Sequence, residues 1–122
     1  MIKKVAFTMY KANDLKRAVN FYSETLGLGA YTEMGGGKWI EFDLPEGGCF
    51  AITTMAEGVE PSDSAGGSIA FEVDQIDALV TELKNKGVTF KMEPFDSPVC
   101  RMAVALDSEG NAFMIHQLHK KS

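Results

Sequence analysis

Few residues in this chain have side chains suited to chemistry. His116 is one of two histidines among 122 residues, and Glu41 and Glu72 share its place in an alternating strand pattern. A histidine with two carboxylates can hold a divalent metal, and a carboxylate beside an imidazole makes a proton shuttle. His116, Glu41 and Glu72 are therefore the candidate catalytic residues. The plainer alternative is a hydrogen-bonded structural histidine, with Glu72 paired to Lys11. Trp39 is the single tryptophan; its flat surface suits stacking on a planar or cationic ligand, or packing in a core or dimer contact. Met9, Met55, Met102 and Met114 could line an adaptable pocket or fill a core.

Other chemistries find less support. Cys49 and Cys100 lack CxxC spacing and are too few for a disulfide framework, so buried free thiols are expected. Arg101 could activate Cys100, but no histidine or helix N-terminus stands beside it. Gly35-Gly36-Gly37 lies between two strand patterns as a hairpin turn and leads into no helix, so a nucleotide cofactor is not expected. Twelve basic against 17 acidic residues give a net charge of −5, with no Lys/Arg stripe, which argues against nucleic acid. No apolar run approaches the ~20 residues of a membrane span. Met1 to Val5 run into a strand pattern without a secretory apolar stretch, so a cytoplasmic protein with no membrane partner is expected.

The elements that must position these residues follow from periodicity. Residues 4 to 10 have strand composition. Asn13-Asp14 then opens a helix carrying Leu15, Ala18, Val19, Tyr22 and Leu26, with Gly27 at its left-handed C-terminal cap. A short strand near residues 30–33, the alternating run 39–44 and the run 49–54 complete a β-α-β-β-β module over residues 1–56. Residues 57–67, polar and rich in Gly, Ser and Pro, read as a linker within a single domain spanning 1–122. The order then restarts over residues 68–118. A strand over 68–73 leads to a helix capped by Asp74 and striped by Ile76, Leu79, Val80 and Leu83. Strands follow at 88–92, 100–106 and 112–118, with Pro94 and Pro98 bordering a loop. Laying Phe7-Thr8-Met9-Tyr10 on Ser68-Ile69-Ala70-Phe71, and Glu46 to Ile52 on Glu109 to Ile115, shows self-similarity at a near-constant interval. The sequence thus reads as an internal duplication.

One helix per module needs an apolar sheet face to cover, and Ile40, Phe42, Leu44, Phe50, Ile52, Ile69, Phe71, Val73, Phe113 and Ile115 share that parity. The opposite parity holds Phe7, Met9, Trp39, Glu41, Asp43, Ala51, Thr53, Ser68, Ala70, Glu72, Met114 and His116. This mixture of aromatic, sulfur and ionisable groups is what a concave ligand site carries, and all of these but Ala70 form the candidate ligand-binding set.

At this point the sequence resembles the vicinal oxygen chelate superfamily, which includes glyoxalases, bleomycin-resistance proteins and extradiol dioxygenases. The resemblance rests on Asn13-Asp14-Leu15, Ala18, Phe21-Tyr22, Leu26-Gly27-Leu28, Phe71-Glu72-Val73-Asp74 and Asp107-Ser108-Glu109-Gly110-Asn111. It implies an α+β fold of two tandem βαβββ modules, whose curled mixed sheets carry helices on the outer face, and a homodimer. It also places the metal-ligand positions of the metal-dependent members at Phe7, Ala51, Ser68 and Met114. Phenylalanine and alanine have no donor, serine is weak and methionine favours soft metals, so no metal is expected at these positions. The expected function is binding of a small organic ligand, such as a toxin or antibiotic, without a cofactor. The alternative is a lyase, isomerase or oxygenase using a divalent metal at a displaced Glu41, Glu72 and His116 site; a third is an interaction module with a vestigial cavity.

Overall fold

The structure, a computed structural model, describes residues 1, 5–55, 59–64, 69–98 and 100–119. The chain divides into two compact units, Met1–Pro61 and Ser62–Ser122. In the first, β1 (Thr8–Lys11), β2 (Thr32–Met34), β3 (Trp39–Asp43) and β4 (Cys49–Thr53) form one sheet in the order β1-β4-β3-β2. β1 runs parallel to β4 and the other pairs are antiparallel. In the second, β5 (Ile69–Glu72), β6 (Phe90–Asp96), β7 (Cys100–Leu106) and β8 (Ala112–Leu118) repeat that topology as β5-β8-β7-β6, with β5 parallel to β8. These are the mixed sheets of an α+β fold of βαβββ modules.

Each sheet buries one face under one helix. In the first unit α1 (Leu15–Asn20) starts where the Asp14 side chain accepts the Arg17 N–H, the cap the sequence leads one to expect. The Tyr22 ring, fully buried, meets the Phe50 ring edge-on at 4.6 Å between centroids. Ile40, Phe42, Phe50 and Ile52 on this face are at most 2% exposed. The second unit buries Phe71, Phe113 and Ile115 against α2 (Ile76–Asn85), which contributes Ile76, Val80 and Leu83. The expected helix-side parity holds, with Leu44, Ile69 and Val73 half-buried at its margin.

Several elements depart from the sequence reading. Among the described residues the first strand begins at Thr8 and leaves out residues 5–7; Lys4 lies outside the described residues. The first helix is α-helical only to Asn20 and continues as a π turn over Phe21–Thr25, in which the Leu26 N–H reaches back to the Phe21 carbonyl at 2.8 Å. The widened turn seats two consecutive aromatic rings, Phe21 and Tyr22, in the core. Gly27 at φ +88° then ends the segment as expected. Gly35–Gly37 forms a 3-10 turn with every φ positive. Asp74 does not cap α2: the Ile76 N–H donates to the Gln117 side-chain oxygen on β8 at 2.8 Å. The expected loop around Pro94 is strand, because β6 is an edge strand whose register shifts on either side of Met92 accommodate the proline.

Of the expected linker, residues 57–58 and 65–67 lie outside the described residues. Its Ser62 is tied into the second unit, where the backbone N–H donates to Asn111 Oδ1 at 2.9 Å. Asp107 in turn accepts the N–H groups of Glu109 and Asn111 at 2.8 and 2.9 Å and the Asn111 side-chain amide at 3.1 Å. Asp107-Ser108-Glu109-Gly110-Asn111 therefore serves as a braced turn ahead of β8.

Candidate functional site

Period-two alternation places one set of side chains on each sheet's helix-free face. In the first unit Met9, Ala51 and Glu41 lie abreast on β1, β4 and β3, and Lys11, Thr53 and Trp39 form the adjoining rung. Phe7, just before β1, meets the Trp39 ring edge-on, with centroids 5.1 Å apart and planes at 86°. The Trp39 indole N–H donates to Glu41 Oε2 at 2.7 Å, with both side chains half-buried. Two perpendicular rings thus border a carboxylate, an arrangement that attracts organic cations through ring faces and charge together.

The remaining candidates of this unit are placed less openly. Asp43 is exposed beside Cys49, its partner across the strands. Partial burial and then the Glu41 and Asp43 carboxylates push the Cys49 thiol above its ordinary pKa, which disfavours the thiolate. Ala51 and Thr53 are fully buried. The Thr53 hydroxyl donates to the Lys38 carbonyl at 2.7 Å and accepts the Met55 N–H at 2.9 Å, so it braces the chain.

In the second unit Glu72 on β5 and His116 on β8 are register partners. Glu72 Oε1 lies 2.5 Å from His116 Nδ1, and Oε2 accepts the Leu118 N–H at 2.9 Å. The hydrogen bond from His116, and then that from Leu118, hold the Glu72 carboxyl below the usual carboxylate range. Met102 lies across from His116, and Met114 two residues before it shares the face. Ser68 lies outside the described residues. Arg101 does not serve Cys100: it bridges Asp77 and Asp96 at 3.0 Å each, while the buried Cys100 thiol contacts Ser97 Oγ at 3.0 Å.

Of Glu41, Glu72 and His116, two are register partners in one sheet. Glu72 and His116 meet within one unit, whereas Glu41 belongs to the other and is engaged by Trp39. Among the described residues no group of three or more His, Cys, Asp or Glu side chains is placed to hold a metal ion. Of the four positions at which the resemblance places metal ligands, Phe7 and Ala51 carry no donor and Met114 only a soft one, so these residues do not suit a hard cation.

Sequence reasoning missed a groove of about 350 Å³ on the helix side of the first sheet, floored by Leu15, Val19 and Ile40 and rimmed by Lys16, Glu24, Tyr31 and Glu33. Its signal is the polar stripe Lys16, Asn20 and Glu24 beside apolar Leu15 and Val19.

A model of the Glyoxalase/Bleomycin resistance protein/Dioxygenase superfamily matches residues 4–115. Solved structures share the fold. A glyoxalase/dioxygenase from Nostoc punctiforme superposes with a TM-score of 0.79 at 18% identity, covering 97% of this chain and 92% of its own. An antibiotic binding protein from Streptomyces sp. CB03234 gives 0.75 at 20% identity, with 98% and 100% covered. The genomically encoded fosfomycin resistance protein of Listeria monocytogenes gives 0.71 at 19%, with 96% and 94% covered. No curated protein matches by sequence.

Proposed function

The chain belongs to the Glyoxalase/Bleomycin resistance protein/Dioxygenase superfamily, and we propose that within it the protein is a metal-free, homodimeric, cytoplasmic binder of a small organic molecule, sequestering a toxin or antibiotic. The carrying observation is the Phe7–Trp39 corner beside Glu41, which occupies a sheet face where the resemblance places metal ligands. Metal-dependent reactions of this superfamily require a cation that polarises or chelates substrate oxygens. Phe7, Ala51 and Met114 supply no hard donor and give such a cation no anchor. The antibiotic binding protein of like fold supports the same reading. Among the described residues no helix is long and apolar enough to cross a membrane.

Proflavine, a planar aromatic cation, is the direct probe. Titration is expected to quench Trp39 fluorescence saturably and to raise the melting temperature, because a ligand that binds only the folded form stabilises it. Glu41→Gln keeps an acceptor for the indole N–H but removes the charge, and is expected to weaken binding about tenfold. Absence of both quenching and thermal shift overturns the reading. Stoichiometric zinc, manganese or iron in the purified protein by elemental analysis overturns its metal-free part.

A further inference from the structure

The contacts of Glu72 and His116 dictate which atom the second unit offers to a ligand. Glu72 is held through both oxygens, by His116 Nδ1 at 2.5 Å and by the Leu118 N–H at 2.9 Å, which directs its carboxylate at the ring. An ionised carboxylate only accepts hydrogen bonds, so Nδ1 carries the shared proton. In the neutral imidazole the lone pair then lies on Nε2. Among the described residues Nε2 has no partner, and the His116 side chain is 24% exposed. It is accessible to a ligand.

The surroundings narrow the donor. Met102 lies directly across from His116 on β7, and Met114 shares the face on β8. Thioethers pack favourably against aromatic rings. Arg101, the cation of β7, adjoins Met102 in the strand, so alternation directs it to the opposite face, where it is committed to Asp77 and Asp96. We infer that His116 Nε2 accepts a hydrogen bond from a hydroxyl carried on an aromatic ring of the ligand, with Glu72 as the residue that positions the imidazole. This deepens the small-molecule-binding reading and rests on it.

The first test needs no ligand. Long-range ¹H–¹⁵N spectra of the intact protein above neutral pH are expected to show His116 as the Nδ1–H tautomer, and Glu72→Gln to give a mixture of tautomers. A predominant Nε2–H tautomer in the wild type overturns the inference. The second compares 2-naphthol with 2-methoxynaphthalene, which has the same ring system without the hydroxyl donor. Wild type is expected to bind 2-naphthol about tenfold tighter, and His116→Phe to abolish the difference. If His116→Phe fails to fold, His116→Gln replaces it and is expected to reduce the difference. Equal binding of the two compounds overturns the inference while leaving the broader reading intact. Binding of neither also overturns it, and quenching of Trp39 by proflavine then decides whether the broader reading falls too.

Discussion

At the scale of single residues, the face on which a side chain sits follows from alternation, but its partner does not. Strand parity put Glu72 and His116 on one helix-free face, and the parallel register of β5 and β8 makes them neighbours. Parity also put Trp39, Glu41 and Thr53 on one face. It could not show that Glu41 would bond to the indole, or that Thr53 would bond to backbone, because such choices depend on rotamers and distances of a few tenths of an ångström. The Glu72 contact has a pH signature. Its carboxyl pKa is depressed by the hydrogen bonds from His116 and Leu118, so its contribution to stability is present above the ordinary carboxylate range. That contribution fades as pH falls through the depressed value. Melting temperatures of wild type and Glu72→Gln are therefore expected to diverge at neutral pH, with wild type higher, and to converge in acid. Parallel curves across that range would contradict the assignment.

At the scale of elements, periodicity located the eight strands and two α-helices of the described residues, and departures arose where a distant residue or a local irregularity decided. The α2 cap comes from Gln117 on β8, which no local pattern reveals, because Asp74 offers a conventional capping residue in the right place. Gln117→Ala is expected to cost about 1 kcal/mol, the usual worth of a helix cap. Gln117→Glu, which keeps an acceptor near the positive end of the helix dipole, should retain most of that stability. Urea unfolding of the three proteins checks the order, and an unchanged midpoint for Gln117→Ala would deny the cap its role. The π turn escaped notice because Ala18, Val19, Tyr22 and Leu26 satisfy helical spacing well enough to hide one extra residue per turn. Pro94 misled in the opposite direction: a proline argues against a central strand, but it is compatible with a bulged edge.

At the scale of the whole molecule, self-similarity within the sequence foretold one topology present twice, and the strand orders β1-β4-β3-β2 and β5-β8-β7-β6 show that topology in each unit. Likeness of backbone does not extend to chemistry. The rung that pairs Lys11 with Thr53 in one sheet pairs Glu72 with His116 in the other. Each sheet also ends in strands with one side unpaired within it, which supports the homodimer proposed above. Light scattering is expected to give twice the chain mass, and a concentration-independent monomer would refute it. The irregularity of β6 acts between molecules as well. A strand seven residues long that exposes Met92 at 49% and Phe95 at 37% is a template onto which a foreign strand could dock and seed fibrils. The register shifts on either side of Met92 spoil the flat ladder such pairing needs, and Pro94 has no backbone N–H to add to one. The same irregularity that breaks the register of this strand is thus a safeguard against aggregation.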